Sequence, residues 1–96
     1  MHKLLATPDK WTKGNFAETP DGLPCKPRYH KACKWCIEGA AVRCYKPRTE
    51  FVPVLAKLRA AIQPDHTHVD GGLVAWNDAP ERTHAEVLEL LQKLDI

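Results

Sequence analysis

Lys31-Ala32-Cys33-Lys34-Trp35-Cys36-Ile37-Glu38-Gly39-Ala40-Ala41-Val42-Arg43-Cys44-Tyr45 is the stretch on which the fold turns. Read at the helical period, Lys31, Lys34 and Glu38 form one narrow polar stripe. Ala32, Cys33, Trp35, Cys36, Ile37, Ala40, Ala41 and Val42 cover most of the remaining surface. The spacing predicts a helix over residues 31–45, and a helix apolar on nearly all sides belongs at the centre of a small domain. Gly39 in its middle gives up about 1 kcal/mol of helix propensity, which is intelligible if another element approaches closely there. Pro47 then helps to end the helix.

Toward the carboxy terminus, Phe51, Val54, Leu55, Leu58 and Ile62 fall on one stripe of a second helix, with Pro53 expected in its first turn. A third helix starts at Thr83-His84-Ala85-Glu86, which fits a capping box, and continues through Val87, Leu90, Leu91 and Leu94. Between them, residues 63–80 form a long connection punctuated by Asp70-Gly71-Gly72 and Asn77-Asp78.

Toward the amino terminus, Phe16 to Thr19 and Leu23 to Lys26 flank Pro20-Asp21-Gly22, a turn signal that predicts a β-hairpin. A lone hairpin is marginal in water, so a third strand is expected, with Leu73 to Trp76 as the candidate. Thr7-Pro8-Asp9-Lys10-Trp11 reads as a short helical turn that ends before Gly14. The expectation is an α+β, helix-dominated fold of about three helices with an amino-terminal β-hairpin, formed by residues 1–96 as a single domain.

With 44% hydrophobic and 27% charged residues over 96 positions, the chain has the composition of a folded domain rather than of a disordered segment. Its apolar runs are a few residues long, far short of the ~20 that cross a bilayer, and Met1-His2-Lys3-Leu4-Leu5 lacks the apolar core of a signal peptide. A cytoplasmic protein without membrane contact is therefore expected, and its four cysteines are expected to be reduced or metal-bound rather than disulfide-linked.

Charge is distributed unevenly. Residues 1–48 carry ten Lys/Arg against four carboxylates, a net +6, whereas residues 49–96 carry four against eight, a net −4. Lys26, Arg28, Lys31 and Lys34 stand out as a basic surface for a macromolecular partner. The acidic half partly cancels that field, which favours a protein partner over nucleic acid.

The cysteines are spaced Cys25-x7-Cys33-x2-Cys36-x7-Cys44, so a zinc site has to be weighed. On a continuous helix Cys33 and Cys44 would lie about 16 Å apart along the axis, too far to share an ion whose bonds to sulfur are about 2.3 Å. The candidate ligands are then Cys33 and Cys36 with Cys25, His30 or the pair His66 and His68. Against zinc, a free cysteine is commonly a small buried hydrophobe, and the favoured expectation is no cofactor. A cysteine paired in space with a histidine could act as a nucleophile, but Cys36 beside Trp35 suits a core position. Neither a phosphate-cradling glycine loop nor a serine elbow is present.

Trp35-Cys36-x-x-Gly39-Ala40, followed by Trp76-Asn77-Asp78-Ala79-Pro80-x-x-Thr83-x-x-Glu86-Val87-Leu88-x-Leu90-Leu91, resembles a family of small bacterial and phage proteins of unknown function. Trp11-Thr12-Lys13-Gly14, Ala17 and Asp21-Gly22 are similar to its amino-terminal part. Physically, the Trp76 to Pro80 block reads as a turn that sets Trp76 in the core and leads into a capped helix. The chain departs from the family pattern at Cys25, Cys33, Cys44 and His66-x-His68, so a zinc site would be its own. The resemblance implies a fold and a mobile-element origin, and no activity.

The functional expectation is a small non-enzymatic binding protein, phage-encoded, that docks on a host or phage protein. The alternative is a nucleic-acid-binding module, with or without structural zinc, and a cysteine-dependent enzyme comes third. Sequence leaves the oligomeric state open.

Overall fold

The computed structural model describes residues 1–66 and 72–96. After a 3-10 turn at Pro8–Lys10 come strand β1 (Ala17–Glu18), strand β2 (Lys34–Trp35), and helices α1 (Ile37–Cys44), α2 (Arg48–His66), α3 (Gly72–Asp78) and α4 (His84–Leu94). The fold is α+β and helix-dominated, and the described residues hold four helices where the sequence pattern suggests about three.

The largest departure lies in the stretch expected to be one long helix. Its first part is extended, and α1 begins only at Ile37. Trp35 pairs with Ala17, and Lys34 with Glu18, in an antiparallel ladder, and Trp35 also bridges Trp11. The Trp35 indole is buried and donates to the Pro27 carbonyl at 2.9 Å, satisfying a polar group that burial would otherwise orphan. Pairing with distant residues here outweighs an apolar pattern and alanines that locally favour helix.

The predicted turn at Pro20-Asp21-Gly22 is present: Gly22 takes φ 81°, and its amide donates to the Thr19 carbonyl at 2.9 Å. The return arm is held by the Glu18–Pro24 bridge and by the Cys25 amide on the Ala17 carbonyl at 2.9 Å. β1 is thus flanked on both sides, and the third strand comes from β2 rather than from Leu73–Trp76. That segment is helical instead, because Leu73, Trp76 and Asn77 bury themselves at i, i+3 and i+4 on one face of α3.

α2 starts where the Pro47 carbonyl accepts from the amides of Glu50 and Phe51. Pro53 is therefore its sixth residue, in the second turn rather than the first, and withholds an amide from the Thr49 carbonyl. α2 continues through Pro64, a position expected to lie in the connecting loop. α4 begins as predicted, with the Thr83 hydroxyl accepting from the Glu86 amide and the Glu86 carboxylate accepting from the Thr83 amide.

One apolar cluster joins all four helices: Ile37, Ala40 and Ala41 of α1, Leu55, Leu58 and Ile62 of α2, Leu73 and Trp76 of α3, and Val87 and Leu91 of α4. Each fully buried Leu, Ile or Val contributes about 1.5–3 kcal/mol relative to exposure. Leu5 completes the cluster from the amino-terminal segment, which His84 tethers by donating from Nε2 to the Leu5 carbonyl at 2.6 Å. The close approach implied by Gly39 is made by β1's neighbour, since a Cβ on Gly39 would overlap the Phe16 carbonyl. Among the described residues, no helix is long and apolar enough to cross a membrane.

Candidate functional site

Asn77 is the only fully buried polar side chain among the described residues, and all four of its hydrogen-bonding positions are occupied. Its Oδ1 accepts from Trp11 Nε1 at 2.8 Å and from the Ile37 amide at 3.0 Å, while Nδ2 donates to the Thr12 carbonyl at 3.1 Å and to Asp78 Oδ1 at 2.8 Å. One side chain thereby joins the Trp11-Thr12 segment, the start of α1 and the end of α3. The neighbouring residues strengthen the joint: the Gly14 amide donates to Asp78 Oδ1 at 3.1 Å, and Lys13 Nζ donates to the Ala79 carbonyl at 2.7 Å. Trp76 lies under the Arg82 guanidinium, 3.9 Å from its ring centroid, and its carbonyl accepts from Arg82 Nε at 2.9 Å. The Trp11-Thr12-Lys13-Gly14 and Trp76-Asn77-Asp78-Ala79 blocks, far apart in the chain, are therefore one structural unit.

Above this joint opens a cleft of about 190 Å³, walled by Gly14, Asn15 and Phe16, by Pro24 and Cys25, by Cys36 and by Val74 and Asp78 of α3. Its lining is mostly apolar, with the Asp78 carboxylate as the charged exception. Cys36 belongs to the wall and also caps α1, its Sγ accepting from the Gly39 amide at 3.3 Å. Burial pushes the Cys36 thiol up to about 11, so it is protonated at neutral pH and lacks the thiolate a nucleophile requires.

On the other side of Phe16 lies a second groove, of about 330 Å³, lined by Phe16, Pro27, Glu38, Val42, Phe51 and Leu55. Phe16 itself is 51% exposed, while its neighbour Ala17 is fully buried. The inversion follows from geometry. The Phe16 carbonyl lies against Gly39, and the inward-facing Ala17 pairs with Trp35, so the aromatic ring faces outward onto the ridge between the two grooves. Glu38, on the rim, forms an ion pair with Arg59 at 3.2 Å.

The predicted basic surface is only partly free. Arg28 donates from Nε to the Val42 carbonyl at 3.1 Å and from its guanidinium to the Lys46 carbonyl, satisfying the carboxy-terminal end of α1, and lies 5.8 Å from the Phe51 ring centroid. Arg43 returns the contact from α1, donating to the carbonyls of Pro27 and Tyr29 at 3.3 and 3.2 Å. Lys34 lies in β2, where its charge adds to the Thr12 and Asn15 hydrogen bonds that hold Glu18 below the usual carboxylate range. Lys26 and Lys31 are exposed.

The four cysteines are free thiols. Because residues 33–36 are not helical, Cys33 does not share a helix face with Cys36, whose sulfur is engaged at the start of α1. Cys25 is raised by its desolvation and then by the neighbouring Cys33 and Glu18. His30 packs edge-on to Tyr29 with ring centroids 4.8 Å apart. His66 ends α2, and His68 lies outside the described residues. Among the described residues, no three of His, Cys, Asp and Glu come together as a group that could hold a metal ion.

Sequence reasoning missed Phe16, Phe51 and Asn77. Asn77 gave a turn signal, and only the structure reveals the buried donors and acceptors around it. Phe16 was readable as a strand residue, without an indication of which face it takes. No curated protein and no solved structure is detectably similar to the chain. A family model matches residues 1–94, and by it the chain belongs to a family of unknown function, DUF6197.

Proposed function

We propose that this chain is a small, non-enzymatic binding protein of the cytoplasm, phage-encoded, that docks on a host or phage protein through the ridge at Phe16. The observation that carries this reading is the half-exposed Phe16 standing between two apolar grooves. Large aromatics that a fold presents outward between apolar hollows are typical anchors of protein interfaces. The protonated, capping Cys36 supports a binding role over a catalytic one. The structural use of Arg28 and the proximity of Lys34 to Glu18 favour a protein over a polyanion as partner.

The test is a nuclease-treated pulldown from the host with wild-type chain and a Phe16→Glu variant, read by mass spectrometry. A protein retained by the wild type and lost by the variant, with both chains giving the same circular dichroism, is the expected result. Nucleic acid is the rival. Submicromolar binding of duplex or single-stranded oligonucleotide at physiological salt, abolished by substituting Lys26, Lys31 and Lys34 together, would overturn the proposal. Arg28 is left in place in that experiment because its removal would also uncap α1.

A further inference from the structure

Resting on that docking role, we infer that the partner segment seated at Phe16 carries a lysine or arginine next to a large apolar residue, with the cation meeting Asp78. The two hollows beside Phe16 are apolar, so a partner must supply apolar side chains to fill them. The Asp78 carboxylate breaks the apolar character of the first cleft. Among the described residues, no Lys or Arg lies within ion-pair distance of Asp78. Lys13, from the adjoining segment, is committed elsewhere: its ammonium bonds the Ala79 carbonyl and lies 5.4 Å from the Trp11 ring centroid.

Asp78 Oδ1 is used internally, accepting from the Gly14 amide and from Asn77 Nδ2, so the carboxylate is fixed in position before any partner arrives. A preoriented carboxylate in an apolar recess loses hydration when a partner covers it, and an apolar side chain there would leave that charge buried and unpaired. A cation offsets the loss, and the recess discriminates strongly against neutral or acidic segments. Glu38 on the rim of the second groove gives the same sign of field, moderated by its pairing with Arg59.

The experiment selects dodecapeptides from a random displayed library on the full immobilised chain and measures soluble winners by fluorescence anisotropy. The expected winners carry Lys or Arg close to an aromatic or aliphatic residue. Their affinity should fall at least tenfold with Phe16→Ala, and about tenfold with Asp78→Asn, which keeps the acceptor used by Gly14. Replacing the peptide lysine by norleucine should cost the same tenfold against wild type and nothing further against Asp78→Asn. The norleucine comparison on wild type alone suffices if Asp78→Asn fails to fold. Winners that need Phe16 but tolerate norleucine would overturn the inference and leave the docking role standing. Winners indifferent to Phe16, or no winners, would overturn both.

Discussion

α4 begins at a threonine whose hydroxyl accepts from an amide three residues on, and α1 begins at a cysteine whose thiol does the same, at 3.2 and 3.3 Å respectively. Oxygen is the better acceptor, and at α4 the Thr83 amide donates in return to the Glu86 carboxylate, so the cap is closed within four residues. α1 has no such local supplement. Its Ile37 amide is satisfied by Asn77, forty residues further along. A helix start can thus be fixed by its own sequence or by the arrival of another element, and the second kind couples secondary structure to the tertiary fold.

The greatest loss should come from Asn77→Ala, which strips partners from Trp11 Nε1, the Ile37 amide and the Thr12 carbonyl. At about 1–3 kcal/mol for each buried orphan, denaturant unfolding should register about 3 kcal/mol or more. A loss below that of the α4 cap would refute the idea that α1 depends on its distant partner. Gly39→Ala comes next. It gains about 1 kcal/mol of helix propensity but collides with the Phe16 carbonyl, and a net loss of about 1–3 kcal/mol is expected. Neutral or improved stability would show that β1's approach to α1 yields easily.

Thr83→Ala should cost about 1 kcal/mol, the usual worth of such a cap. At α1, Cys36→Ser should be more stable than Cys36→Ala by about the same amount, since only serine keeps an acceptor for the Gly39 amide. Equal stabilities would reduce the thiol to a space-filling role. The smallest effect is a pH dependence. Glu86 is held below its ordinary value, first by the Thr83 amide, then by the Thr83 hydroxyl and Arg82. A depressed carboxylate stabilises the fold above its unfolded value of 4.5 and loses that contribution as pH falls through the lower folded value. Wild type should therefore lose stability on acidification below 4.5 more steeply than Glu86→Gln, and parallel curves would remove the charged half of the capping box.

The same contrast explains what was legible in the sequence. α4 is legible because its cap and its apolar stripe lie within one short segment. The local pattern puts the start of α1 six residues early because Ala32 to Cys36 look helical on their own, and the pairing of Trp35 with Ala17 and Trp11 has no local signature. In α3 the four-residue apolar run Leu73 to Trp76 suits a strand as well as a helix, and the burial of Asn77 alongside Leu73 and Trp76 decides for the helix. Arg28 was legible as a cation but not as the group that satisfies the Val42 and Lys46 carbonyls. In the candidate site, Asp78 reads only as part of a turn, and the grooves around Phe16 exist only once α3 has met the hairpin segment on one side of it and α1 has met α2 on the other.

The bond from the Ile37 amide to Asn77 also makes that single proton a reporter on the whole molecule. An amide in the first turn of a helix ordinarily exchanges with solvent deuterium when that end frays, as the Glu86 amide should, its acceptor being three residues away. The Ile37 amide is held by a fully buried side chain of α3 that is itself fixed by further hydrogen bonds, so its exchange should track the separation of α1 from α3. A slowly exchanging proton at the very first residue of a helix would be the kinetic imprint of a fold in which the end of one helix is held by the body of another.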